Sequence, residues 1–140
     1  MNITEYIDSS HRMQVINLWD KTFGYPDARN KPSLVIDKKI AVGDGLFFVA
    51  EEHGQVVGTI MAGYDGHRGW IYSLAVSEAH RHKDIGTFLL SRAESELANR
   101  GCVKINLQVV ESNSGVCEFY TKNGYHVEPR ISMGKSLVRD

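Results

Sequence analysis

A short basic turn between a predicted strand and a predicted helix is the part of this 140-residue chain best suited to bind an anion. Residues 74–87 read LAVSEAHRHKDIGT, so an apolar strand end precedes Arg81 and Lys83, and Gly86 then opens a helix. The first N–H groups of a helix have no intrahelical partner and carry the positive end of its dipole. A phosphate fits such a point, and Gly86 lets the backbone come close to it. From the charges alone, a solvated basic turn is the alternative.

Histidines and cysteines form no pattern that favours a metal site. His80 and His82 are close in sequence, but their spacing matches no common ligand set. Cys102 and Cys117 lie on different predicted elements and form no CxxC motif. We therefore expect two reduced thiols and no metal.

Two helices are predicted after a first strand at residues 2–7. Ser9 and Ser10 supply an N-cap, and a helix over residues 11–23 follows. Its predicted buried face consists of Met13, Ile16, Trp19 and Phe23. A shorter helix begins at Ser33 and extends to about Val42.

The middle of the chain predicts an antiparallel meander followed by an amphipathic helix. Apolar runs at 47–50, 56–61 and 70–76 are separated by tight turns, the first of them at His53-Gly54. The helix that opens at Gly86 has one apolar stripe, an outward Arg92/Glu96 pair and a stop at Gly101; the stripe consists of Leu89, Ala93 and Leu97.

The last third predicts one more strand, one more helix and two final strands. Residues 103–109 alternate between apolar and polar side chains. Asn113 or Ser114 then caps a short helix that Asn123-Gly124 closes, and strands follow at 125–127 and 131–138. The sum is a single α+β domain over residues 1–140, with one parallel strand pair joined by a crossover helix.

The basic turn resembles the pyrophosphate loop of GNAT superfamily acetyltransferases, whose pattern is Arg or Gln, two residues, Gly, one residue, and Gly or Ala. Arg81 and Gly86 match that pattern, and residues 118–125 (EFYTKNGY) resemble the second family signature. Two motifs in the correct order are more specific than either alone. Residues 63–69 (GYDGHRG) resemble the bacterial YpeA-like group within the superfamily. The resemblance implies a mixed, mostly antiparallel sheet flanked by helices, with two strands splayed at a cofactor cleft.

The resemblance also implies an acetyl-CoA-dependent N-acetyltransferase and assigns its site. Tyr120 would be the acid that meets the departing CoA thiolate; core packing is the alternative. Asn113 matches a position that contacts the pantetheine arm, and a helix N-cap is its other reading. The residues expected to bind acetyl-CoA are Leu74, Ala75, Val76, Arg81, His82, Lys83, Asp84, Ile85, Gly86, Thr87 and Asn113.

Asp84 departs from the family pattern, because it stands where the first glycine is expected. Aspartate tolerates the left-handed conformation better than most residues, and it could cap the helix. Its charge would repel a phosphate about 6 Å away by about 2–3 kcal/mol at an effective dielectric near 20, unless Arg81 and Lys83 compensate. Some relatives place a glutamate base where this chain has Gln108; Glu111 is a weak substitute.

Composition excludes several other classes. The net charge of −1 and the lack of a basic stripe interleaved with aromatics argue against a nucleic-acid binder. The longest apolar run, residues 46–50, is too short to span a bilayer, so we expect a cytoplasmic protein.

A non-catalytic acyl-CoA-binding or regulatory domain is the main alternative to the enzyme. The acceptor could be a small amine or a peptide or protein amine, and a homodimer is a family-level expectation. Candidate acceptor contacts are Tyr25, Asp27, Tyr64 and Asp65.

Overall fold

The structure is a computed structural model that describes residues 1–24, 28–113 and 115–138. Over these residues it contains five strands and four α-helices, joined by turns that include short 3-10 segments. The strands are β1 (Asn2–Glu5), β2 (Phe47–Glu52), β3 (Gln55–Tyr64), β4 (Gly69–Val76) and β5 (Ile105–Leu107). The helices are α1 (Asp8–Thr22), α2 (Pro32–Val42), α3 (Ile85–Asn99) and α4 (Val116–Lys122). The predicted mixed α+β fold is therefore confirmed.

The strands form one sheet in the order β1-β2-β3-β4-β5. The first three pairings are antiparallel, and β4 pairs with β5 in parallel through the crossover helix α3. The predicted β2–β3 hairpin turns at His53 and Gly54, which have φ values of 53° and 76°. Two consecutive positive φ values are characteristic of the tight turns that match the twist of paired strands.

Helices cover both faces of this sheet. Trp19 of α1 donates a hydrogen bond to Thr59 of β3, whereas Arg92 of α3 lies over the ring of Phe48 of β2, 4.9 Å from its centroid. Side chains alternate between the two faces along a strand, so α1 and α3 lie on opposite faces. The core on the α1 side consists of Val15, Leu18, Trp19, Ile36, Phe47, Val49, Met61 and Ala75.

The predicted buried face of α1 was wrong in part. Met13 and Phe23 are 66% and 50% exposed, and the buried residues are His11, Val15, Leu18 and Trp19. The contacts of His11 explain why the buried face of α1 differs from the predicted one. Its Nδ1 accepts the Ile7 N–H at 2.9 Å, and its Nε2 lies 2.9 Å from Glu51 Oε1. Both ring nitrogens are thus satisfied, and a polar residue takes a core position that apolar periodicity cannot predict. The helix also begins earlier than predicted, so Ser9 and Ser10 lie inside it and Ile7 is its N-cap.

α3 confirms its prediction more closely. Leu89, Ala93 and Leu97 are fully buried, and Arg92 Nε donates to Glu96 Oε1 at 3.2 Å on the outer side. Gly101 follows with a φ of 89°, the conformation expected of a helix stop.

In the last third of the chain, the prediction overestimated both the length and the number of strands. β5 covers only Ile105–Leu107, and Val103, predicted to face the core, is 92% exposed. The described residues of 125–138 contain no strand where two were predicted. Ser136 instead donates its hydroxyl to the backbone carbonyl of Val138 at 2.8 Å. Such local side-chain bonds compete with strand ladders.

The chain divides into two compact units, Met1–Leu107 and Gln108–Asp140. The first contains the sheet with α1, α2 and α3, and the second contains α4. Within the described ranges, no helix has the length and apolar character needed to cross a bilayer. The same ranges hold no group of three or more His, Cys, Asp and Glu side chains arranged to bind a metal.

Candidate functional site

Among the described residues, the C-terminal half of β4 has no strand paired to it on the β5 side. Parallel pairing with β5 involves only Gly69, Trp70 and Ile71, so the strand has no β5 partner from Tyr72 to Val76. Unpaired N–H and C=O groups on a strand edge can pair with an extended ligand. Leu74, Ala75 and Val76 lie on this stretch of β4, beyond the point where β5 ends at Leu107.

A β-bulge lies at the start of this stretch. Thr59 of β3 pairs with Ala75, whereas Met61 pairs with Tyr72, so two residues of β4 stand opposite one of β3. Ser73 is one of the two and has a φ of 53°, which is unusual for a residue with a side chain. A bulge of this kind re-aims the backbone that follows it.

A hydrogen-bond chain holds the bulge from the core. Trp19 Nε1 donates to Thr59 Oγ1 at 2.8 Å, and Thr59 Oγ1 donates to the Ser73 carbonyl at 2.9 Å. Thr59 is fully buried and Trp19 is 3% exposed. The sequence argument missed this pair. The available signal was a hydroxyl residue in the middle of an otherwise apolar strand.

The turn after β4 folds back on the strand end. Arg81 Nε donates to the Val76 carbonyl at 3.3 Å, and the Ser77 N–H donates to Val57 at 2.8 Å. His82 and Asp84 have φ values of 69° and 62°, while Lys83 between them does not share this conformation. Alternating backbone conformations of this type gather successive N–H groups on one side, which makes an anion-binding concavity.

Asp84 adopts the left-handed conformation that its glycine-like position requires, with φ 62° and ψ 14°. Its side chain makes no capping hydrogen bond, so the predicted capping role is wrong. Its backbone carbonyl accepts the Phe88 N–H at 3.0 Å and starts the helix instead. The side chain is exposed, and Lys83 Nζ lies 4.0 Å from Glu52 Oε1. Lys83 therefore forms an ion pair with Glu52 of β2.

Gly58 brings the beginning of α3 close to the sheet. A Cβ at this position would lie 2.9 Å from Leu89 Cδ1, 3.1 Å from the Ala75 carbonyl and 3.3 Å from Ile85 Cγ2. Ile85 is 2% exposed and anchors the first turn of α3. The N–H groups of residues 85–87 have no intrahelical partner and lie directly after the basic turn.

A cleft of about 490 Å³ lies on the α1 side of the same turn. The last turns of α1 form one wall and the start of the basic turn forms the other; its lining is Leu18, Lys21, Thr22, Ser77, Glu78, Ala79 and Arg81. Arg81 therefore borders both the strand end and this cleft. α1 supplies three of the lining residues, Leu18, Lys21 and Thr22.

Tyr120 and Asn113 belong to the second unit. Tyr120 lies on α4, its ring 5.1 Å from that of Phe119 and 5.8 Å from that of Tyr125. Burial raises the pKa of Tyr120 to about 12. Asn113 ends a 3-10 turn, and the N-cap of α4 is Gly115, so the predicted capping role of Asn113 is wrong.

Other candidates have local structural roles. Gln108 Nε2 donates to Ser132 Oγ at 2.5 Å, and Glu111 is exposed in the 3-10 turn. Asp65 accepts the Arg68 N–H at 2.7 Å and the His67 N–H at 2.8 Å, and these two bonds lower the pKa of its carboxyl. Asp65 thus stabilises the turn before β4. The Tyr64 hydroxyl donates to Gly66, whereas Tyr25, Asp27 and Ser114 lie outside the described residues.

Comparison with known proteins finds similarity to acetyltransferases, both with a family model and with solved structures. A family model described as the acetyltransferase (GNAT) family matches residues 12–125. An aminoglycoside antibiotic 6′-N-acetyltransferase from Acinetobacter haemolyticus is 16% identical with a TM-score of 0.76, over 99% of this chain and 100% of that one. The PaiA N-acetyltransferase from Thermoplasma acidophilum, solved with coenzyme A, is 20% identical with a TM-score of 0.78, over 93% and 92%. Glucosamine-6-phosphate N-acetyltransferase from Arabidopsis thaliana is 20% identical with a TM-score of 0.72, over 98% of each chain.

Proposed function

Because the chain belongs to the acetyltransferase (GNAT) family, we propose that it transfers the acetyl group of acetyl-CoA to a primary amine by direct attack in a ternary complex. One observation carries the proposal. The stretch of β4 without a β5 partner ends at Val76, and a 3-10 turn at Glu78–His80, the basic turn and the first N–H groups of α3 follow it in that order. A thioester arm and a diphosphate, linked as they are in acetyl-CoA, need these two sites in this order. Residues 63–69 further suggest the YpeA-like group of the family.

The diphosphate would bind at the turn. Arg81 and Lys83 supply charge, and the N–H groups of residues 85–87 supply donors at the positive end of the helix dipole. Gly86 keeps this surface open, because a side chain there would stand between the backbone and the phosphates. The side chains of His82 and Asp84 are exposed at the same turn, and Thr87 follows on α3.

The pantetheine arm would pair with the backbone of residues 74–76, as an added strand pairs with a free sheet edge. This pairing places the thioester beside the bulge. Backbone N–H groups there can donate to the carbonyl oxygen, and such bonds strengthen as the oxygen gains negative charge in the transition state. Asn113 is proposed as a further contact with the arm.

The reaction balances without a redox partner. The amine nitrogen forms a bond to the acetyl carbon, and the bond from that carbon to sulfur breaks. The thiolate leaving group takes a proton, for which we propose Tyr120 as donor; the amine gives up a proton to water, and water returns a proton to Tyr120. A tyrosine is protonated at neutral pH, as a donor must be, and burial, which raises the pKa of Tyr120 to about 12, extends that state into the alkaline range.

We propose that the acceptor amine approaches through the cleft between α1 and the basic turn, because Arg81 borders both this cleft and the end of β4. The acceptor class stays open between small-molecule amines and peptide or protein amines. The solved relatives named above include enzymes for an aminoglycoside and for an amino sugar phosphate, so a panel of acceptors should include both kinds, with polyamines and peptides beside them.

Calorimetry with coenzyme A and a thiol-release assay with this panel test the function. We expect binding by the wild-type chain and a loss of about tenfold or more in Arg81→Ala, because a charge-assisted bond to phosphate is removed. Lys38→Ala is the matched control, since Lys38 is exposed on α2, and α2 contributes no residue to the basic turn or to the lining of the cleft beside it. Binding without thiol release for any amine would leave a non-catalytic acyl-CoA-binding domain. No binding at millimolar coenzyme A would refute the proposal.

A further inference from the structure

Thr59 is a buried polar residue that no assigned role uses. It lies in the middle of β3 with 0% exposure, among the apolar side chains of the α1 face. Its hydroxyl has two partners, because it accepts from Trp19 Nε1 at 2.8 Å and donates to the Ser73 carbonyl at 2.9 Å. A buried hydroxyl with both functions satisfied in this way has a defined orientation.

The bond to Ser73 falls on the one irregular position of β4. Ser73 has a φ of 53° and belongs to the bulge, where a regular β3–β4 ladder bond is interrupted. The Thr59 hydroxyl donates to the Ser73 carbonyl at this irregular position. Because the peptide plane of Ser73 includes the N–H of Leu74, the direction of the carbonyl also sets the direction of that N–H.

Trp19 fixes the other side of the hydroxyl. Its indole is 3% exposed, and its ring lies 5.9 Å from that of Phe47 in a stacked arrangement. An indole N–H can only donate, so Thr59 must accept from it and must direct its own proton to Ser73. The sense of the whole chain, from Trp19 to Thr59 to Ser73, is therefore determined.

The geometry points to Thr59 as a positioning residue for the acetyl thioester. Held by Trp19, its hydroxyl orients the Ser73–Leu74 peptide and so aims the C-terminal half of β4 at the thioester carbonyl. This inference rests on the proposed function, and it identifies two residues outside the cofactor surface that set the reactivity of that surface.

The test compares acetyl-CoA with CoA on the full chain, since the two ligands differ at the acetyl group. The carbonyl stretch of bound [1-¹³C]acetyl-CoA reports how strongly the backbone N–H groups polarise the thioester, and it requires no acceptor. We expect a shift to lower frequency on binding to the wild-type protein. Thr59→Val should lose at least about half of this shift, because valine keeps the shape but removes the hydroxyl.

Kinetics and two further variants separate positioning from stability. With an active acceptor, Thr59→Val should lower kcat about tenfold or more and leave the dissociation constant of CoA within about threefold, because the diphosphate contacts are intact. Thr59→Ser keeps the hydroxyl and should restore the carbonyl shift. Ile36→Val, a deletion in the same core, should lower the Tm without changing the shift. Trp19→Phe provides the second route if Thr59→Val does not fold, and it should weaken the shift.

The outcomes distinguish the inference from the function beneath it. Failure of the wild-type chain to bind acetyl-CoA would overturn both. Normal binding by the wild type, with an unchanged carbonyl frequency in folded Thr59→Val and Trp19→Phe, would overturn only the role of Thr59. A loss of shift in Ile36→Val equal to that in Thr59→Val would also overturn it, because the effect would then follow from core stability.

Discussion

Asp84 combines a favourable backbone with an unfavourable charge. Its left-handed conformation suits a position where the family pattern has glycine, and aspartate reaches that conformation more easily than most residues. Its carboxylate makes no capping bond, and Lys83 lies 4.0 Å from Glu52. The helix backbone therefore does not offset the charge of Asp84 through a capping bond, and Lys83 pairs with Glu52.

Removing this charge should tighten acetyl-CoA binding. For an exposed group about 6 Å from a phosphate, the repulsion is about 1 kcal/mol in a nearly aqueous dielectric, or roughly fivefold in the dissociation constant. We expect this gain in Asp84→Asn, which keeps the left-handed tendency, and also in Asp84→Gly. Calorimetry at low and high salt checks it, because screening should shrink the gain as salt rises. Equal or weaker affinity in both variants would refute the repulsion.

Tyr120 should act on catalysis and not on binding. Tyr120→Phe removes the proton donor and keeps the ring, so kcat should fall by about 10²-fold or more with little change in acetyl-CoA affinity. Because its pKa is raised to about 12, this donor stays protonated below that pH, and kcat should not decline between pH 8 and 10 through its ionisation. Tyr125→Phe, whose ring lies 5.8 Å away, is the matched control. Full activity of Tyr120→Phe would remove the proposed acid.

Elements with strong periodicity were predictable, and the exceptions have identifiable physical causes. α3 matched its predicted stripe because every buried position in it is apolar. In α1 the stripe was misplaced because His11 is buried through hydrogen bonds to Ile7 and Glu51. Sequence patterns count apolar residues, so they cannot detect a buried polar side chain that depends on a partner 40 residues away, as His11 depends on Glu51.

The position of the basic turn could be predicted from the sequence, whereas the bulge of β4 could not. The run from Arg81 to Gly86 marks the turn through charge, glycine and position. No residue pattern indicates the bulge of β4. A bulge depends on which residues of the two strands stand opposite each other, and this register is set when the strands pair. The need for a glycine at position 58 is equally invisible in the sequence. It follows from packing, because a Cβ at Gly58 would lie 2.9 Å from Leu89 Cδ1 of α3.

Strand ends depend on partners that a single sequence does not reveal. Residues 131–138 contain enough apolar side chains to predict a strand, yet Ile131 is 92% and Leu137 is 90% exposed. Without a neighbouring strand, alternation alone does not create a ladder, and local bonds such as that from Ser136 to Val138 form instead.

The family match bears on how the whole chain folds. It extends over residues 12–125 and so includes most of the unit Met1–Leu107 and the α4 part of the other. Because the match crosses the boundary between the two units, we propose that residues 1–140 form a single domain. We therefore propose that the two units unfold together.

Calorimetric unfolding of the full chain tests this proposal. A single domain of 140 residues should melt in one transition with an enthalpy of about 100 kcal/mol near 60 °C, equal to the van 't Hoff value. Coenzyme A at a hundred times its dissociation constant adds about 2.7 kcal/mol, which should raise the Tm of that whole transition by about 9 °C. Two transitions, of which coenzyme A shifts only one, would show that the units are independent. In that case the site residues of the first unit would have to bind the cofactor without help from Asn113 or Tyr120.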